Sequence, residues 1–140
     1  MPQRDYILRM IEQLGAALAE LRRRILGGKT DPAAIGQELG ALAGRSGFDL
    51  ELLRGLSGET LHMLASPTGE VEPARCWLMA ELLHLDGLQA LAEERREDGR
   101  TSLEKARLLF SLVEPGGGML VGLPEAAERV REIDDLLEDR

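Results

Sequence analysis

The first thirty residues carry an apolar pattern typical of an amphipathic helix. Large apolar residues recur in steps of four and three positions, at Ile7, Ile11, Leu14, Leu18, Leu21 and Ile25. Such steps place the side chains on one side of an α-helix, so either the chain's own core or another chain must cover them. The pattern predicts a long N-terminal amphipathic helix over residues 5–26, with Asp5 as its N-cap and Gly27 and Gly28 ending it.

A second helix is predicted from Pro32, because proline is favoured at the first position of a helix. Gly36, Gly40 and Gly44 recur at every fourth position along it. Glycine weakens a helix but lets a neighbouring helix approach closely. We therefore expect a close helix–helix contact on the glycine face. Two short helical turns, opened by Asp49 and Ser57, should follow.

The chain changes character at Pro73, after which it is apolar on more than one face until about Leu91. This pattern predicts a buried central helix whose charged second half projects into solvent. A turn at "DGRT", residues 98–101, should lead into a partner helix that begins "SLEKARLLF". Because consecutive helices joined by about four residues pack antiparallel, residues 73–114 are predicted to form a helical hairpin.

A C-terminal helix is predicted over residues 124–139. Its apolar stripe repeats the geometry of the opening one, through Leu123, Ala126, Val130, Ile133 and Leu137. A glycine-rich link containing Gly116–Gly118 precedes it. Leucine and alanine are abundant while aromatic and β-branched residues are few, which favours helix over sheet. We expect residues 1–140 to form a single all-α domain, a helical bundle.

Charge is distributed unevenly along the chain. The net charge is −8, but residues 1–30 carry six basic and three acidic groups (+3), leaving 11 basic and 22 acidic groups (−11) for residues 31–140. The first helix of one molecule could therefore attract the acidic body of another. The acidic total opposes binding to nucleic acid or to an anionic membrane surface. The run Arg22–Arg24 fits better as a complement to the helix dipole.

The cellular compartment is indicated by the lack of certain hydrophobic segments and by the single cysteine. The sequence has no run of the ~18 uncharged apolar residues that a membrane span needs, and charges at Arg4, Asp5 and Arg9 interrupt any secretory signal. The lone Cys76 lies in an apolar run without a cysteine partner, which fits a buried thiol in a reducing compartment. We expect a cytoplasmic protein that is not embedded in a membrane.

Candidate chemistry is sparse. His62 and His84 are 22 residues apart and lack the spacing of a metal-binding pair, so we expect structural roles for both. "GGKT" resembles the end of a phosphate-binding loop, but Arg23 stands where that loop needs its first glycine. Trp77 is expected to anchor the core. The sequence predicts no catalytic residue, no metal and no cofactor.

Three segments, "DYILRMIEQL", "LSGETLHML" and "LMAELLHLDGLQALAEE", occur in this order. Through them, residues 5–113 resemble a family of short, uncharacterised bacterial proteins with an opening D-Y-I-x-R-M-I-E segment. The matching residues are Asp5, Tyr6, Arg9, Ile11 and Glu12, then Leu56, Ser57 and Leu61, then Ala80, Glu81, Leu82 and Leu83. The resemblance implies an all-helical fold ending in a tetratricopeptide-like antiparallel hairpin, and it implies no activity or cofactor.

Three functional hypotheses remain open. The first is a non-enzymatic protein that binds another protein, most directly a second copy of itself in a homodimer. Its anchors would be the first five residues of the opening stripe, Ile7, Ile11, Leu14, Leu18 and Leu21. The alternative is a small-ligand-binding or enzymatic module with a cleft near Tyr6, His62 or His84. Nucleic-acid binding through Arg22–Arg24 is a third and weaker possibility.

Overall fold

The computed structural model describes residues 2–28, 31–113 and 126–138; for residues 2–8, 10 and 11 it describes only the helical backbone. The predicted all-α helical bundle is confirmed within these ranges. The helices are α1 (Pro2–Gly27), α2 (Pro32–Arg45), α3 (Leu50–Gly55), α4 (Gly58–Leu64), α5 (Pro73–Ala92), α6 (Arg96–Leu112) and α7 (Ala126–Glu138). Within the described ranges, no helix is both long and apolar enough to cross a membrane.

Several helix termini follow local sequence signals. Asp31 caps α2 by accepting a hydrogen bond from the backbone N–H of Ala33, at 3.2 Å, and Ser57 caps α4 in the same manner. Gly28 ends α1 with a positive φ of 74°, a conformation in which glycine carries no Cβ penalty. The prediction for Asp5 is wrong, because α1 begins at Pro2 and Asp5 lies inside the helix.

Helix α5 is the centre of the fold. Every residue from Cys76 to Ala90 is buried, since α1, α2, α3 and α6 all pack against this helix. Trp77 anchors the core as expected, with its ring edge-to-face against Phe110 at a centroid separation of 6.5 Å. Cys76 is buried beside them, and its thiol donates to the carbonyl oxygen of Leu109 at 3.0 Å. Helix α4 and helix α7 both pack on α6.

Helices α5 and α6 form an antiparallel pair with a very close crossing. A Cβ atom added to Gly87 would lie 2.7 Å from the side chain of Leu103 and 3.1 Å from the carbonyl oxygen of Gly99. A Cβ added to Gly99 would lie 2.8 Å from the side chain of Leu91. Both positions therefore need glycine so that the two backbones can approach each other.

The turn of this hairpin lies earlier than the sequence suggested. It spans Glu93 to Arg95, where Glu94 has a positive φ of 62°, and α6 already begins at Arg96. The predicted turn at residues 98–101 is wrong. Gly99, which suggested a turn, is instead the glycine of the helix crossing, and the charged run after Leu91 contributes the turn and the first residues of α6.

The expectation of a close contact along the glycine face of α2 is also wrong. Gly36, Gly40 and Gly44 are exposed, and a Cβ added to any of them would meet no described atom within 4 Å. The buried face of α2 contains Ile35 and Leu39, each one position before a glycine. One residue is about 100° of helix rotation, so burying these side chains turns the glycines toward solvent.

The C-terminal helix α7 packs its apolar stripe against the bundle. Ile133 is fully buried, and Ala126, Val130 and Leu137 are partly buried against the core. Leu123, the first residue of the predicted stripe, lies outside the described residues, as does the segment Gly116–Gly118.

Candidate functional site

The described anchors of the opening stripe are part of the chain's own core. Leu14, Leu18 and Leu21 are 5%, 2% and 1% exposed, in the same apolar cluster as residues of α2 and α5. The side chains of Ile7 and Ile11 lie outside the described residues. The use of this stripe as an interface with another chain therefore stays a prediction.

The residues of the alternative cleft occupy different environments. His62 is exposed on α4, whereas His84 is completely buried on α5. The side chain of Tyr6 lies outside the described residues. His62 and His84 therefore do not line a common solvent-accessible cleft, and His84 belongs to a site that the sequence did not reveal.

That site is a group of charged and polar side chains enclosed between α1, α5 and α7. We call it the charge cluster, and it consists of Arg22, Glu81, His84, Arg129 and Glu132. Its centre is the carboxylate of Glu81, whose side chain is 2% exposed. Arg129 of α7 donates to Glu81 Oε2 through Nη2 at 3.2 Å, and Arg22 Nη1 of α1 lies 3.9 Å from the same oxygen.

Glu132 closes the cluster from the surface. Arg129 Nη1 donates to its Oε2 at 3.2 Å, and Arg22 Nη2 donates to its Oε1. The Glu132 side chain is 44% exposed, whereas the side chains of Arg22 and Arg129 are only 13% and 9% exposed. Two guanidinium groups from different helices therefore converge on both oxygens of one surface carboxylate.

Burial and charge fix the protonation state of His84. Its burial, together with the positive charges of Arg22 and Arg129, lowers its pKa to about 2. The ring is therefore neutral at physiological pH, and its 3.9 Å separation from Glu81 Oε1 is not an ion pair. Arg22 Nη1 lies 3.5 Å from Nδ1 of the ring.

Ionisation of Glu81 is opposed by its burial, even though two arginines lie beside it. Burial raises the pKa of the Glu81 carboxyl, and the charges of Arg129 and Arg22 oppose that rise. Three buried polar atoms in the cluster have no hydrogen-bond partner among the described residues: Glu81 Oε1, His84 Nε2 and Arg129 Nε. Unpaired buried polar atoms cost about 1–3 kcal/mol each unless water or a ligand satisfies them.

A second ionic contact on α5 provides a satisfied counterpart. Asp86 accepts a bidentate pair of hydrogen bonds from Arg54 of α3, at 2.7 and 3.1 Å, and another from the hydroxyl of Ser102 at 2.7 Å. This hydrogen bonding raises the pKa of Arg54. This contact joins α3, α5 and α6, and both carboxylate oxygens of Asp86 accept hydrogen bonds.

The charge cluster was missed because its members are distant in sequence. Arg22 and Glu132 are 110 positions apart, and no local pattern relates them. A partial signal existed in Glu81 and His84, which stand one turn apart in an otherwise apolar helix and therefore share a buried face. Arg24, in the last turn of α1, has its Nε 3.8 Å from Oε2 of Glu20 in the same helix.

Other candidate chemistry finds little support in the described parts of the chain. No group of three or more His, Cys, Asp or Glu side chains there could hold a metal ion. Burial raises the pKa of the Cys76 thiol to about 12, so this cysteine is protonated and a poor nucleophile. No model of a known protein family, no curated protein sequence and no solved structure matches this chain.

Proposed function

We propose that the protein is a non-enzymatic helical interaction module whose partner is a second copy of the same chain. The observation that carries this proposal is the length of α1 relative to the helix that it packs on. Arg22 lies beside Glu81 and His84, near the middle of α5. From that point α1 continues about 20 residues, or about 30 Å, toward Pro2, whereas α5 continues about 8–11 residues, or about 12–17 Å, to either end.

If the two helices run side by side, about 10 residues at the N-terminal end of α1 exceed the length that α5 can cover. The first buried side chain among those described in α1 is Leu14, and Arg9, Glu12 and Gln13 are exposed. The apolar stripe nevertheless continues through Ile7 and Ile11 in the sequence. A helix that keeps its apolar spacing past its intrachain partner is typical of helix–helix association, because two such stripes can pack against each other.

The contribution of charge to this proposal is smaller than the sequence suggested. Arg22 pairs with Glu132, Arg24 pairs with Glu38, and Arg23 pairs with Glu20 of its own helix. Much of the attraction between the basic first helix and the acidic body therefore operates within one chain. The apolar positions at 7 and 11 should provide most of the association energy.

Three finer expectations belong to the same proposal. A single antiparallel helix pair, α5–α6, is compatible with a tetratricopeptide-like hairpin and with the bacterial family that the sequence resembles. The buried free thiol of Cys76 is compatible with the cytoplasm. The alternative of a ligand-binding or enzymatic cleft near Tyr6, His62 or His84 has less support, because His84 is enclosed.

Mass in solution tests the proposal directly. Light scattering coupled to gel filtration, over a range of protein concentrations, should give a dimer of twice 15.3 kDa. Ile11→Glu should shift the mass to that of a monomer while the helical circular dichroism spectrum is retained. Gln13→Glu, which adds the same charge at an exposed position of the same helix, should leave the dimer intact. A wild-type monomer at every concentration would refute the proposal.

A further inference from the structure

The guanidinium groups of Arg22 and Arg129 surround one carboxylate and are arranged like a preformed anion site. We call these two side chains the clamp. They come from α1 and α7, and each donates to a different oxygen of the same Glu132 carboxylate. Planar guanidinium groups placed around one carboxylate provide the geometry that proteins use to bind carboxylates and phosphates.

Burial distinguishes the fixed part of this clamp from the exchangeable part. The Arg129 and Arg22 side chains are 9% and 13% exposed, and Glu81 holds both guanidinium groups from beneath. Glu132 is 44% exposed, and the contacts described for its carboxylate are with these two arginines. Solvent can therefore reach the anion, whereas the cations are held inside the protein.

The clamp also has hydrogen-bonding capacity that Glu132 does not use. The described hydrogen bonds of Arg129 use Nη1 and Nη2 once each, although a guanidinium group carries five N–H donors. A phosphate has more acceptor oxygens than a carboxylate, so in the place of Glu132 it could accept from more of the Nη–H groups of Arg22 and Arg129.

We propose that Arg22 and Arg129 form a binding site for an external oxyanion, and that Glu132 occupies this site as an internal substitute. Without Glu132, the two guanidinium groups face Glu81 alone, which leaves a net charge of +1 in a partly enclosed site. This charge is suited to a carboxylate or to a phosphate group. Because the clamp joins α1 to α7, a bound anion would also hold the C-terminal helix on the bundle. This site does not depend on the proposed self-association.

The test removes the internal carboxylate and supplies external ones. Thermal unfolding of Glu132→Ala should be followed in increasing sodium phosphate and, separately, sodium acetate, with sodium chloride at equal ionic strength as the reference. We expect saturable stabilisation with an apparent dissociation constant about tenfold or more below that of the wild type, which corresponds to losing one charge-assisted competitor. Glu128→Ala, at an exposed position on the same helix, should respond like the wild type.

The two salts distinguish the natural ligand class. Preference for phosphate would indicate a phosphorylated ligand, whereas equal or better binding of acetate would indicate a carboxylate ligand or an acidic side chain. The proposal would be overturned if Glu132→Ala responds to neither salt beyond sodium chloride. It would also be overturned if the response persists after Arg129→Gln is added to Glu132→Ala. If Glu132→Ala fails to fold, Glu132→Gln keeps an acceptor oxygen, and phosphate binding by calorimetry decides the question in the same way.

Discussion

Helix α5 has two contrasting surfaces. Toward α6 its backbone approaches so closely that Gly87 and Gly99 leave no room for a Cβ atom. Toward α1 and α7 it presents Glu81 and His84, and the neighbouring helices supply arginines. One helix therefore combines close backbone packing on one side with buried ionic contacts on another. The close packing joins two helices that follow each other in the chain, whereas the ionic contacts join helices that lie far apart in it.

Removal of the Glu81 carboxylate should change stability more than any other substitution considered for α5. Glu81→Ala leaves the guanidinium groups of Arg22 and Arg129 largely buried without their shared buried counter-charge. Breaking a buried ion pair from one side costs about 3–5 kcal/mol, so urea unfolding should show a loss of that size. Glu128→Ala, an exposed acidic residue, should change stability by less than about 0.5 kcal/mol. A loss below about 1 kcal/mol for Glu81→Ala would mean that the cluster is open to water.

The pH dependence of stability tests the same ionic surface through His84. The native ring has a pKa of about 2, whereas the unfolded side chain titrates near its ordinary value of 6.5. Below pH 6.5 the His84 side chain therefore binds a proton in the unfolded chain but not in the native state. The free energy of unfolding should fall by about 2 kcal/mol between pH 7 and pH 5 from this group alone.

Glu81 has the opposite sign, because its raised pKa makes the native state bind a proton more readily as the pH falls. The two contributions separate by comparing variants. Denaturant unfolding of the wild type and of His84→Leu at pH 7 and pH 5 should show that the wild type loses about 2 kcal/mol more. His62→Leu, at an exposed position, should follow the wild type. Parallel pH profiles for wild type and His84→Leu would contradict a neutral buried ring.

Gly87→Ala tests the close packing of α5 on α6. The new methyl group would lie 2.7 Å from Leu103 Cγ and 3.1 Å from the backbone oxygen of Gly99, and the latter cannot move without shifting α6. Overpacking of this kind costs about 1–3 kcal/mol, partly offset by the better helix propensity of alanine. Chemical denaturation should show a net loss of about 1–2 kcal/mol. Greater stability than the wild type would show that the two helices can separate easily.

The sequence predicted what depends on nearby residues. The part of the opening stripe from Leu14 to Ile25, the cap at Ser57 and the anchoring role of Trp77 each follow from spacing within a few residues, and each is found. The glycines show where such reasoning ends, because Gly40 and Gly87 look alike in sequence and only the packing partner distinguishes them. The charge cluster was beyond local reasoning for the same reason: Glu81 meets Arg129 only because α7 returns to the bundle, 48 positions later.

The exposed glycines of α2 give the smallest expected effect and the opposite sign. Gly36 and Gly40 line an open groove of about 420 Å³ with Phe48 and Arg54, and a methyl group at either glycine would meet nothing within 4 Å in the part of the chain that the structure describes. Alanine should therefore stabilise the helix by about 0.5–1 kcal/mol at each position, because glycine loses more conformational freedom on folding. The thermal midpoint of Gly36→Ala should rise. A fall in midpoint together with a lower mass in solution would instead mean that a second copy covers this groove, since only a neighbour in contact would clash with the added methyl group.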